Sequence, residues 1–197
     1  TLAQYTLPAY FLDFETISLA VPRWSGVRPY QAIPFQFSVH CLSSPSSLHH
    51  RAFLDLSGRD PSEKLIEALI AACGNAGPVY VYSGFEKTCI SQLATRFPLK
   101  AITLNKLIDR LVDLLPVAKA HYYHPAQRGS WSIKNVLPSL FPELDYTALE
   151  GVSDGGMAME AYVEATTPAV SEERKAELRA QLEFYCHRDT YALVKVW

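Results

Sequence analysis

Ala9-Tyr10-Phe11-Leu12-Asp13-Phe14-Glu15-Thr16 is an apolar run that closes on two carboxylates. Residues 9–12 read as a buried strand. Side chains two apart on a strand share a face, so Asp13 and Glu15 stand side by side at its end. Two like charges there repel unless a cation lies between them, and hard divalent ions such as Mg²⁺ or Mn²⁺ prefer oxygen ligands. The spacing alone is weak: 20 acids in 197 residues give about 2 acid-x-acid pairs by chance. Glu143-Leu144-Asp145, behind Pro142 and with no strand before it, is such a decoy and reads as a solvated loop.

Around this strand, residues 34–42 and 48–54 read as two more strands bounded by Pro and Ser turns. Asp60-Pro61-Ser62-Glu63 sets a capping Asp, a Pro at N1 and a Glu at N3 ahead of Leu65, Ile66, Leu69 and Ile70, the spacing of a helix face that Gly74 ends. Residues 78–82 give a fourth strand. Helical patterns follow over 85–97 and 105–115, then an irregular stretch over 116–132, short helices over 133–140 and 156–165, and a last helix from 171 to the end. Strands first, then a helix-strand-helix unit, then helices predict an α/β fold, a mixed β-sheet flanked by α-helices.

With 18 Lys plus Arg against 20 Asp plus Glu, the net charge is −2, so any grip on nucleic acid or an anionic membrane must be local. The four cysteines stand singly, without zinc-finger spacing, which fits free thiols in a reducing cytosol. No secretory leader and no 18-residue apolar run is present, so the expectation is a cytoplasmic protein without a membrane partner. The chain opens at Thr1 without Met and stops at Trp197 inside a helical pattern, the pattern of one domain over residues 1–197 cut from the C-terminal part of a longer protein.

Two further signals accompany the first. Tyr185-Cys186-His187-Arg188-Asp189 sets Tyr185 and Asp189 one turn apart on one helix face. Glu86 follows a strand and opens a helix, where an acid also suits the helix dipole. D-x-E after the first strand, an acid after Phe at the head of a mid-chain helix, and Y-x-x-x-D in the last helix resemble the ribonuclease H-like superfamily of exonucleases with four carboxylates and a tyrosine, the proofreading type. The histidine form of that superfamily would carry His where Phe184 stands. More narrowly, Asp13-Phe14-Glu15-Thr16, Pro29-Tyr30, Pro34-Phe35-Gln36-Phe37-Ser38, His40, Tyr123-His124-Pro125, Gly129-Ser130, Ser132-Ile133-Lys134, Asp154-Gly155 and Tyr185-Cys186 look like an uncharacterised bacterial domain family. That family usually lies behind a RecB-like or Cas4-like nuclease domain.

The resemblance implies a 3′-to-5′ exonuclease acting on single-stranded DNA or RNA ends. Asp13, Glu15 and Asp189 would hold one Mg²⁺ or Mn²⁺, and Asp13 with Glu86 a second, the two ions ~4 Å apart. Tyr185 would orient the attacking water. Glu86 stands where the superfamily usually has Asp, and Tyr82 where Asn is common. Residues 16–54 and 114–142 contain no acid, yet they carry Arg23, Arg28, Arg51, Lys119, Arg128, Lys134, His121 and His124, interleaved with Trp24, Tyr30, Tyr122, Tyr123 and Trp131. Cations among rings suit a single strand, which makes Arg23, Trp24, Arg28, Tyr30, Tyr123, His124, Arg128 and Lys134 the candidate substrate residues. For Trp24, Tyr30 and Trp131, plain packing is as good a reading. His40 reads as a satisfied sheet residue, and Asp113 and Asp154 read as caps. Two other functions fit the same motifs: a binding module without catalysis that serves an upstream nuclease domain, and a phosphodiesterase for small nucleotides, which would need a closed pocket.

Overall fold

The computed structural model describes residues 6–144 and 151–197. In chain order its elements are β1 (Ala9–Ile17), β2 (Ile33–Ser44), β3 (Ser47–Leu54), α1 (Ser62–Cys73), β4 (Val79–Val81), α2 (Phe85–Arg96), α3 (Ala101–Ile108), β5 (Leu111–Asp113), α4 (Leu115–His121), α5 (Ile133–Leu140), α6 (Gly155–Ala165) and α7 (Glu172–Val196). The five strands form one sheet in the order β3-β2-β1-β4-β5, antiparallel among the first three and parallel from β1 through β5. The fold is α/β, a mixed sheet flanked by helices, as the motif order predicts, and it is consistent with the ribonuclease H-like arrangement. Among the described residues no helix is long and apolar enough to cross a membrane.

Central strand β1 is apolar on both faces because helices cover both. Tyr10, Leu12 and Phe14 join Phe37, Val39, Val79 and Val81 in a core with α1, α2 and α3. The alternate residues face the other way: Phe11 packs with Tyr80 and Leu193, and Ile17 with Phe35 and the apolar sides of α6 and α7. Asp13 and Glu15 lie between those two apolar groups, on the α7 side. The strand's period of two therefore carries the acids into a helix-covered face, opposite Ser38 and Gln36 of β2 and just before an irregularity in the β1–β2 register.

Asp60 is not the cap expected of it: α1 starts at Ser62 with Pro61 at the N-cap and no side-chain cap, and Asp60, one residue earlier, accepts the Ser62 N–H through Oδ1 at 3.0 Å. The same carboxylate pairs with Arg96 at the end of α2, tying two helix ends together. Two stretches differ from the sequence reading. Residues 105–115 do not form one helix, because α3 begins at Ala101 and the chain then extends into β5. Arg110 forces that change of direction: its guanidinium donates to the carbonyls of Gly77, Gly74, Cys73 and Ala76 at 2.6–2.8 Å. Residues 116–121, expected to be irregular, belong to α4, whose first turn admits Pro116 because no donor is needed there. Gly77, at φ +85, is required where the chain enters β4, since a Cβ would lie 1.9 Å from the Pro8 carbonyl oxygen. Glu143 is exposed on a single 3₁₀ turn; Asp145 of the same decoy lies outside the described residues.

Candidate functional site

β1 supplies Asp13 and Glu15, α2 supplies Glu86 from its first turn, and α7 supplies Tyr185 and Asp189 from one face. Residues up to 176 positions apart (189 − 13) thus meet. Asp13, Glu15, Tyr185 and Asp189 line one open cleft of about 350 Å³, walled by Phe85 and Gly155. Glu86 adjoins it and shares a hydrogen bond with Asp13.

Several contacts fix this convergence. Helix α7 is seated on β2 by the Gln36 side chain, which donates to the Leu182 carbonyl at 2.9 Å. Thr190 adds to this, with its hydroxyl 2.6 Å from Ser38 Oγ and 2.8 Å from His40 Nδ1. His40 is therefore the satisfied sheet residue that the sequence suggests; burial first, then His50 and His187, hold its pKa down to about 3. Glu86 is aimed by the turn before α2, where Ser83 sits at φ 126, a strained value for a non-glycine residue. The Ser83 N–H donates to Asp113 Oδ1 at 2.9 Å, and the same oxygen accepts the Leu115 N–H at 2.9 Å. Asp113 thereby stands one residue before the α4 N-cap, Leu114, and ties the start of that helix to the turn that holds Glu86. Asp154 is a cap, accepting the Met157 N–H at 2.9 Å.

The acids are poorly hydrated. Glu15 is 5%, Glu86 3% and Asp189 7% exposed, while Asp13 is half-buried. Burial, then the charges of Asp189, Glu86 and Glu15, push Asp13 well above the usual carboxylate range. Burial and Asp189 raise Glu15 to about 8, with Lys134 opposing. Burial raises Glu86 to about 7, with Asp113 adding to the rise and the Asp13 hydrogen bond opposing it. Such a cluster stays partly protonated at neutral pH unless cations enter it. Burial, and then Asp189, raise the Tyr185 phenol far above its ordinary value.

Asp13, Glu15 and Cys186 each place a donor atom within 4.8 Å of the others, a cluster able to hold a metal ion. The Cys186 thiol is pushed well up by burial and by the acids, so at neutral pH it remains protonated and the hard donors are the carboxylate oxygens. Glu86 Oε2 is buried and has no hydrogen-bond partner among the described residues. An oxygen-only donor set with an orphaned carboxylate oxygen fits a hard divalent cation.

Of the eight candidate substrate residues, Lys134 reaches the site: its Nζ donates to Tyr185 Oη at 2.6 Å, and its charge opposes the rise of Asp13 and Glu15. Arg23 donates to Thr166 Oγ1 at 2.8 Å, and Trp24 is half-buried against the apolar cluster of α6 and α7, with Nε1 donating to the Gly58 carbonyl. Trp24 is thus a packing residue. Arg28 is exposed, as is Tyr30, at 73%. Tyr123, 67% exposed, lies 6.4 Å from the Trp131 ring. His124 caps a 3₁₀ turn that Arg128 ends in the left-handed conformation. Sequence reasoning passed over Cys186 as a scattered thiol and Asp113 as a plain cap. The first was legible only once Asp13 was known to lie beside α7.

A domain-family profile matches residues 10–132, and its description is Domain of unknown function (DUF2779). The match covers more than half of the chain, which belongs to that family. No curated protein and no solved structure matches it.

Proposed function

We propose that this member of the DUF2779 family is a metal-dependent 3′-to-5′ exonuclease of the ribonuclease H-like type with four carboxylates and a tyrosine, acting on single-stranded nucleic acid ends. The observation that carries the reading is the meeting of Asp13, Glu15, Glu86 and Asp189 around one cleft, each raised or buried at a cost that bound cations would offset. Asp13, Glu15 and Asp189 would hold one Mg²⁺ or Mn²⁺, and Asp13 with Glu86 a second. Such ions supply Lewis-acid charge to a phosphodiester oxygen.

The chain's own groups do the rest. The three elements that carry the carboxylates are tied together by hydrogen bonds before substrate arrives, so little reorganisation accompanies binding. Tyr185, 2% exposed, lines the cleft beside the acids and would orient a water. The cleft is open, which suits the end of a strand better than a small nucleotide in a closed pocket. Exposed Arg28, Tyr30, Tyr123 and Arg128 offer cations and rings to phosphates and bases beyond it.

The test is a 5′-labelled single strand incubated with Mn²⁺. Stepwise shortening from the free 3′ end, abolished by a chelator, supports the reading; binding without shortening would leave a nucleic-acid-binding module in its place.

A further inference from the structure

Tyr185 has one hydroxyl proton, and the residue beside it decides where that proton points. Lys134 rises from the first turn of α5. Its Nζ donates to the Ser153 carbonyl at 2.9 Å and to Tyr185 Oη at 2.6 Å, and lies 4.7 Å from the centroid of the same ring. With Oη about 2.8 Å from its ring centroid, those two distances put Nζ about 120° from the C–O bond, near a lone-pair direction of the phenol oxygen. An ammonium only donates. The Tyr185 oxygen is therefore the acceptor in this bond, and its own O–H turns elsewhere. Asp189, one helical turn on, hydrogen-bonds it.

We infer that Lys134 is a positioning residue for Tyr185. It fills the direction along which the phenol would take up a proton and aims the one hydroxyl proton toward Asp189 and the cleft. A water there takes that proton in place of Asp189, so Tyr185 orients the water as a donor without acting as its base. The ammonium is itself fixed by Ser153, which precedes Asp154, the cap of α6, so the orientation is set before substrate binds. This inference rests on the exonuclease reading and replaces, for Lys134, the role of a plain phosphate ligand that the sequence suggested.

Two measurements test it. Kinetics of Lys134→Met, Tyr185→Phe and the double variant form a cycle. If Lys134 acts through the Tyr185 hydroxyl, Lys134→Met lowers kcat ~10-fold with KM unchanged, and it costs nothing further in the Phe background. A rise in KM with losses that multiply would make Lys134 a substrate ligand and overturn the inference. Lys134→Gln, which keeps a donor for the Ser153 carbonyl, is the second variant should the Met protein fail to fold. The other measurement needs neither metal nor activity: the ¹³Cζ resonance of Tyr185, assigned by its loss in Tyr185→Phe, should move in both Lys134 variants. An unmoved resonance also overturns the inference. If the wild-type protein cleaves nothing, the exonuclease reading fails and the resonance alone decides the contact.

Discussion

Replacing Glu15 by Gln is expected to stabilise the metal-free protein at pH 8 and to leave it nearly unchanged at pH 4.5. Glu15 is 5% exposed and ionises at about 8 in the folded chain, against an ordinary value of 4.5. A carboxyl whose folded pKa is raised contributes its full stability below the unfolded value and loses it as pH climbs through the folded one. At 1.36 kcal/mol per pH unit, the window from 4.5 to about 8 corresponds to on the order of 5 kcal/mol. The neutral amide has no proton to lose and fills the same space, and its NH₂ faces carboxylate oxygens. For a chain of this length each kcal/mol is worth roughly 2–4 °C, so the variant should melt roughly 10–20 °C above wild type at pH 8 in a chelator. Melting followed by circular dichroism across the window reads the difference. Parallel pH profiles for the two proteins would refute the argument, since Glu15 would then be ionised at little cost in the folded chain.

Mn²⁺ at about 100 times its Kd should stabilise the wild-type protein by about 2.7 kcal/mol at pH 8; Asp13→Asn should lose most of that gain and all detectable cleavage without melting lower in chelator. Asp113→Ala frees the N–H groups of Ser83 and Leu115, so denaturant titration should read a loss of about 1–3 kcal/mol, with kcat falling because the turn that aims Glu86 is released. Arg110→Met strips one donor set from four carbonyls and should cost about 3 kcal/mol, while activity per folded molecule stays unchanged.

The acids were legible because their spacing announces a shared face, Asp13 and Glu15 two apart on a strand and Tyr185 and Asp189 at helical spacing, although β1 runs on to Ile17 and carries both acids inside it instead of at its end. Their meeting was not legible from spacing, since it depends on α7 crossing β1 and β2 through Gln36, Ser38 and Thr190, contacts that leave no local pattern. β5 was read as helix because three residues are too few to display alternation, and because Arg110 acts on carbonyls more than thirty positions away. α4 was read as irregular because Pro116 breaks a helix interior yet suits a first turn. Rings and cations in the long loops suggested one substrate surface, but a sequence does not distinguish Trp24 packed on the core from Tyr123 in solvent. Lys134 stood in that basic stretch among the others, and only its 2.6 Å contact with Tyr185 sets it apart.

The decisive measurement is anomalous scattering at the manganese edge from crystals soaked with Mn²⁺ and a nucleoside monophosphate. Two peaks ~4 Å apart among Asp13, Glu15, Glu86 and Asp189 are the predicted result. An empty cleft with manganese bound elsewhere, or a single ion held away from Asp13, would contradict the assignment of these carboxylates as a two-cation centre.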